Sequence, residues 1–564
     1  PITVGMKFAF HAKLHHLLRI LSLSAEFMSQ KQRQTNNKAS IMENKKTVLV
    51  WGAGADASLG FPSTVQQSNA LCALLIAPEG EEPGNIRARV EAMLQKIKCT
   101  LESRHPKLIQ NLCDLLALLD ARKSDHFDAA YESMAQQGHP ANGDREEKDF
   151  FRFNFDLDAL RCIAYACPKS FTAEVSLQDL FTFIDLHIST GRGFLFKKID
   201  GTNEAEFIHV DRFPSARRTL SFLIYVIFYL KSQELDSNNL QPYEKFVETL
   251  AMRMYREGIE NSMNFDSNHV SFYLSSLSVI SMNWCPVLLA LWFKANKELN
   301  NSPQAPLVFT PPQKIRNLHD FSTTLAVALD GVGNETWYSP LTAVAQRIND
   351  PEHRSGRVYR LSKYLLPHGA LTWRECKNCG HLIMTLPATW DKLQEELLPQ
   401  PIFPLLNTAK VGADRRPCPY CETVTRITDM PLIMQSTFKG THSIYLEMIQ
   451  RSMKLTLEEA DHIILAGYSL PDDDFLYRAH FSASRKHKTK CSLIGFDPQY
   501  PTPNEWVYGE KFKEVIENKE SDFYKSTSRV CDVFGSGNVR AYAGGVPAVF
   551  GATPKDVEFL LRWQ

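Results

Sequence analysis

Four cysteines are spaced to hold a metal. Cys376-Lys-Asn-Cys379 and Cys418-Pro-Tyr-Cys421 each place two thiols on one turn, and 38 residues separate the pairs. Two such turns complete a closed tetrahedral set of thiolates, the arrangement of structural zinc. Gly380 and Pro419 are turn formers that suit such knuckles. A closed set leaves no position for a substrate, so the metal is expected to hold structure and not to perform chemistry. The competing readings are a redox pair, which leaves the second C-x-x-C unexplained, or unconnected reduced thiols. The remaining eight of the twelve cysteines are scattered and read as core or surface residues. Twelve in 564 residues is too sparse for a disulfide scaffold, which points to a reduced, cytoplasmic setting.

A second stretch able to do chemistry lies near the start. Lys46-Thr-Val-Leu-Val-Trp51 reads as a strand buried on both faces, and it runs into Gly52-Ala-Gly-Ala-Asp-Ala-Ser-Leu-Gly60-Phe-Pro62. Glycines after a strand let the backbone turn tightly and approach a pyrophosphate, whose charge sits against amide hydrogens at a helix start. The ordinary dinucleotide fingerprint G-x-G-x-x-G is not met, because the third glycine lies six positions after Gly54. A tight strand-to-helix turn without a ligand is the plain alternative.

The loop GAGADASLGFP resembles the sirtuin loop GAGISTSAGIP in the same register, matching at Gly52, Ala53, Gly54, Ser58, Gly60 and Pro62. Asp56 stands where that family usually has serine. Ser63-Thr-Val replaces the Asp-Phe-Arg that often follows, which is closer to the bacterial sirtuin-like defence proteins than to the protein deacylases. The resemblance implies that Gly52, Ala53, Gly54, Asp56, Ser58, Gly60 and Pro62 meet NAD+. It also implies an Asn-x-Asp at a strand end. Asn154-Phe-Asp156 and Asn264-Phe-Asp266 have the letters, whereas Asn283-Trp-Cys285 has the context of a preceding strand, Ser278–Met282, and a following helix from Val287. Asn283 is the choice; Cys285 then stands where the family has a carboxylate. A strand-end asparagine that merely caps the next helix is the alternative.

Leu365-Leu-Pro-His368-Gly369-Ala-Leu-Thr-Trp373 resembles the family's L-H-G-S-L-x-W, which makes His368 the expected catalytic base. Imidazole titrates near neutrality and can take a proton from a ribose hydroxyl or a water. Gly467-Tyr-Ser-Leu-Pro471 resembles the defence-branch G-Y-S-L-P, which places Gly467 and Ser469 at the pyrophosphate or adenosine ribose. Lys490-Cys-Ser-Leu-Ile-Gly495-Phe-Asp497 resembles the next strand and implies a ribose contact from Asp497, with Gly495 in place of the usual asparagine. The four cysteines also match the sirtuin zinc module.

These residues must be positioned by strands that alternate with helices, an α/β doubly wound, mostly parallel sheet of Rossmann type. Strand-like runs recur at 277–282, 358–366, 462–466 and 490–495. Helical periodicity dominates between them, notably in 86–99, 108–119, 220–231 and 242–258. The expected organisation is a basic N-terminal extension over 1–45 and an NAD-binding domain over 46–70 and 271–500. A helical insertion over 71–270, a zinc module over 374–424 and a C-terminal extension over 501–564 complete it. Residues 535–551 are glycine-rich and charge-poor and carry no recognisable motif.

Sixty-three basic residues balance 63 acidic ones, so the charge indicates no chain-wide nucleic-acid footprint. No apolar run is long enough to span a membrane, and Lys13, His15, His16 and Arg19 interrupt the N-terminal amphipathic stretch. The resemblance implies an NAD+ glycohydrolase acting in antiphage defence by NAD+ depletion, a form of abortive infection. The expected assembly is a homo-oligomer, with an ATPase or other defence partner. Two alternatives stay open: a non-enzymatic NAD- or ADP-ribose-binding subunit of a larger complex with an ATPase or nuclease partner, and an NAD-dependent protein deacylase.

Overall fold

The first strand, β1 (Thr47–Trp51), is buried along its whole length, as its unbroken apolar and β-branched text requires. The computed structural model describes residues 45–62, 67–68, 71, 153–167, 176–197, 205–232, 235–263, 271–273, 275–301, 320–321, 325–328, 337–338, 358–360, 362–380, 382–385, 418, 421–423, 430–433, 444–471, 474–483, 489–515, 519–551 and 553–563. The expected extension over 1–45, apart from Lys45, and the periodic stretches 86–99 and 108–119 lie outside these residues. Lys46–Gln564 forms one unit.

Seven further strands join β1: β2 (Leu277–Ser281), β3 (Asp320–Phe321), β4 (Lys363–Leu365), β5 (His462–Ala466), β6 (Lys490–Ile494), β7 (Trp506–Tyr508) and β8 (Val539–Tyr542). Their order across the sheet is β7-β8-β6-β5-β1-β2-β4-β3. Every neighbouring pair is parallel except the edge pair β7 and β8. On one side of β1, Val50 faces Ile280; on the other it faces Leu465. The chain therefore builds outward from β1 through β2 and β4, then crosses to build outward through β5, β6 and β8. The order reverses between β1 and β5, and in such sheets the crevice beyond the strands' carboxyl ends at the reversal is where ligands sit. The sheet is the Rossmann-like α/β architecture expected.

Between β1 and β2 the described chain is mainly helical, with α1 (Leu157–Ala166), α2 (Leu177–Thr190), α3 (Arg212–Ser232) and α4 (Ser237–Met263). A hairpin of Phe194–Lys197 and Ala205–Ile208 joins α2 to α3. In α3 every residue from Thr219 to Leu230 is buried, so it is a core helix packed on α1 and α2 and not an amphipathic surface one. No described helix is long and apolar enough to cross a membrane. Beyond β2 come α5 (Val287–Asn301), α6 (Ile444–Glu458), α7 (Phe475–Ala483), α8 (Asp522–Phe534) and α9 (Pro554–Leu561).

The fold departs from the sequence reading in two places. The run 358–366 is not one strand: Val358–Arg360 pairs with Ser271–Tyr273, and only Lys363–Leu365 enters the main sheet. The buried Ser362 between them donates its hydroxyl to the Leu277 carbonyl at 2.6 Å, which fixes the break. The stretch 501–564 is more than an extension, because it supplies β7, β8 and α8. A fully buried arginine disguises β8. Arg540 donates to Ser492 Oγ at 2.7 Å and to the carbonyls of Phe559, Leu560 and Arg562, and its guanidinium lies 4.5 Å from the Trp506 ring. Carbonyls and aromatic faces stand in for a carboxylate partner there.

Candidate functional site

The carboxyl ends of β1 and β5 touch through their glycines. Gly52 N donates to the Ala466 carbonyl at 2.9 Å, and Gly54 N to the Gly467 carbonyl at 3.0 Å. A Cβ on Gly467 would lie 2.0 Å from Ala55 N, and φ there is +64°; a Cβ on Gly52 would lie 2.5 Å from Gly467 O. These two glycines are therefore required first for backbone-to-backbone packing at the switch point. Gly60 serves differently: it sits at φ +85° with open space around it and ends the short helical turns Ala53–Asp56 and Ala57–Leu59.

Asn283, two residues past the end of β2, is buried against this loop. Its Nδ2 donates to the Gly52 carbonyl at 2.8 Å and to Asp56 Oδ2 at 2.7 Å. Asp56 Oδ1 accepts from Trp51 Nε1 at 2.8 Å. Burial pushes the Asp56 carboxyl up to about 7, against the lowering pull of these two hydrogen bonds. The rival Asn154 and Asp156 have structural duties: Asn154 Oδ1 accepts from Arg218 at 2.7 Å, while Asp156 caps α1 through Ala159 N and pairs with Arg212 at 2.8 Å. Asn264 and Asp266 lie outside the described residues.

His368 follows β4 and is held by the turn its neighbours make. Gly369 adopts φ +78°, and a Cβ on it would lie 2.2 Å from the Pro431 carbonyl. The His368 carbonyl accepts from Ile433 N at 2.9 Å. The ring's Nδ1 lies 2.9 Å from the Met282 carbonyl, so Nδ1 carries the hydrogen and the lone pair of the neutral ring sits on Nε2. Tyr477 packs edge-on against the imidazole at 4.8 Å.

These segments surround one cavity of about 520 Å³. It gathers Asn283 and His368 with Ala53, Gly54, Asp56 and Pro62 of the first loop, and Gly467 and Ser469 of the second. Its size suits a small-molecule ligand. Four expected residues are not part of the lining. Gly52 lies beneath the loop, and Gly60 ends the turn. Ser58 is hydrogen-bonded to the Tyr243 hydroxyl on α4. Asp497 accepts from Gln499 N at 3.0 Å and caps its own turn. The carboxylate lining that end of the cavity is Asp522, at the start of α8, beside Phe523 and Ser526. The sequence reading missed these three, and their nearest legible signal was Ser521-Asp522, a helix-start pair. Asp474, which accepts from the Tyr468 hydroxyl at 2.8 Å, and the exposed ring of Phe496 also line the cavity. The glycine at 495 has a packing reason, because a Cβ there would lie 2.8 Å from the Phe523 ring.

The cysteine pairs converge as their spacing required. Sγ of Cys376 lies 3.5 Å from that of Cys421, and Sγ of Cys379 lies 3.5 Å from that of Cys418. All four sulfurs are within 4.8 Å of one another. Tetrahedral coordination at about 2.3 Å puts sulfurs roughly 3.8 Å apart, so the cluster fits a metal ion such as zinc. Turns close each knuckle: Gly380 N donates to Cys376 O at 2.7 Å, and Glu422 N to Cys418 O at 2.8 Å.

Fold and site together define a Rossmann-like α/β protein with a cavity at its switch point and a four-cysteine cluster able to hold a metal. Compared with known proteins, the chain matches no family model and no curated protein.

Proposed function

We propose that this chain is a sirtuin-like NAD+ glycohydrolase, cleaving NAD+ to nicotinamide and ADP-ribose. The observation that supports it most is the convergence of Asn283, His368 and the two glycine-centred loops, from four distant parts of the chain, on one cavity. In this reading NAD+ lies across the carboxyl ends of β1 and β5. No Lys or Arg is among the described lining residues, so the pyrophosphate is met by loop N–H groups other than those of Gly52, Gly54, Ala55 and Gly467, which backbone carbonyls already take. The nicotinamide–ribose bond breaks through an oxocarbenium-like state. A water adds to the ribose carbon, and its proton passes to His368 Nε2 or to bulk water. Asn283 accepts a hydrogen bond that holds the water or the ribose in line. Cys376, Cys379, Cys418 and Cys421 hold a structural zinc that takes no part in the step.

The biological setting in this proposal is antiphage defence by NAD+ depletion, by a homo-oligomer whose activity is released by infection or by an ATPase or other defence partner. Purified protein incubated with NAD+, with and without its genomic neighbour, tests the activity: nicotinamide and ADP-ribose are expected in equal amounts. Release of nicotinamide only when an acyl-lysine peptide is present would replace this reading with the deacylase one.

A further inference from the structure

Asp56 and Asn283 meet at the back of the cavity, one from the glycine loop and one from the end of β2. The Asn283 amide has two hydrogens, and both are engaged: one by the Gly52 carbonyl at 2.8 Å, the other by Asp56 Oδ2 at 2.7 Å. Neither acceptor has a hydrogen to return while Asp56 is ionised, so turning the amide over would face two acceptors with a third. Asn283 therefore has only its side-chain oxygen left for a ligand. Asp56 is itself held, because its other oxygen accepts from Trp51 Nε1 at 2.8 Å. The Trp51 indole is in turn held against the stacked pair of rings Phe246 and Phe550, with Tyr243 meeting it edge-on.

We propose that Asp56 is a positioning residue that locks Asn283 with Oδ1 toward the cavity, as an acceptor for a bound water or ribose hydroxyl. The reaction invoked rests on the glycohydrolase reading; the lock does not. It supplies from the loop the carboxylate that Cys285, two residues after Asn283, cannot supply. Three neighbours feel the Asp56 charge, namely Cys285, Tyr364 and Tyr243, and burial raises each of them, so they stay neutral around it. His368, Tyr468, Asp474 and Asp522 are the other ionisable groups among the described residues of the same cavity. Asp56 titrates at about 7. Protonated, it can donate as well as accept, and the constraint on the amide loosens.

The test is a double-mutant cycle read in two ways. Asp56→Asn, Asn283→Ala and the double variant are melted without ligand above and below pH 7, and NAD+ cleavage is followed over the same range. Asp56→Asn keeps the shape of the side chain and should fold. Above pH 7 the two melting shifts should fail to add by at least about 2 °C, and the shortfall should shrink below it. Asp56→Asn should lower kcat roughly 100-fold while KM stays within about threefold, and the acid limb of the pH profile should lose its Asp56 step, leaving only what the His368 base contributes. Additive shifts at every pH, or an unchanged kcat with the acid limb intact, overturn the proposal. A wild-type protein that never cleaves NAD+ overturns the glycohydrolase reading instead, and the melting cycle still decides whether Asp56 grips Asn283.

Discussion

Tyr243, on α4 of the helical layer, donates its phenol hydrogen to the carbonyl of Ala55 in the glycine loop at 2.6 Å. The same hydroxyl meets Ser58, so the inserted helices directly brace the loop that borders the cavity. Removing the hydroxyl while keeping the ring should loosen that loop. Tyr243→Phe is expected to cost about 1 kcal/mol of stability. Thermal melts measure the first effect. Titration with ADP-ribose measures the second, a weaker affinity with the cavity residues themselves untouched.

The glycines of the two loops should rank by what surrounds them. Gly467→Ala drives a methyl into Ala55 N at a positive φ, so it should prevent stable folding or cost more than about 3 kcal/mol. Gly60→Ala meets no atom within 4 Å and carries only the left-handed backbone penalty, about 1–2 kcal/mol. Denaturant melts of the two variants should differ by the corresponding shift in midpoint. Equal losses would contradict the close approach of β1 and β5.

The cysteine cluster should bind one metal ion per chain, and its loss should be structural. Cys376→Ser is expected to abolish metal measured by elemental analysis and to lower the melting temperature by several degrees. Chelation of the wild type should have the same effect. NAD+ cleavage measured below the lowered melting point should survive in part, because the cluster contributes no residue to the cavity lining.

Two buried groups should pull stability in opposite directions with pH. Asp56 has its pKa raised from 3.8 to about 7, so the folded state keeps a proton that the unfolded chain has lost, and stability falls as pH rises across that window. His462 has its pKa lowered from 6.5 to about 3 by burial, so stability falls as pH drops through that range. Between about pH 4 and 6.5 the two slopes oppose each other, and a flat wild-type profile is expected. Asp56→Asn removes one slope. The variant should therefore lose melting temperature steadily as pH is lowered from 6.5, as calorimetry would show.

The strands were legible because apolar runs end in glycine or asparagine, and the cysteine cluster because two C-x-x-C turns have few other uses. The parts of the site built by single tertiary contacts were not legible. Nothing in the spacing of Asp56 and Asn283 announces a bond across 227 positions. Asp522 and Phe523 belong to a helix whose pattern explains only its packing, and β8 was hidden by Arg540, whose charge is absorbed by rings and carbonyls brought from elsewhere in the chain. A carboxylate just after a strand reads as a ligand contact, whereas Asp497 closes its own turn outside the described lining.

The proposed cleavage is tested most directly by the release of nicotinamide and ADP-ribose from NAD+ by wild type, His368→Ala and Asn283→Ala, each shown by its melt to be folded. Equimolar products are expected from wild type, under basal or partner-activated conditions, with a loss of at least about 100-fold in each variant. Full activity in His368→Ala, or a wild type that leaves NAD+ intact under every activating condition, would contradict it.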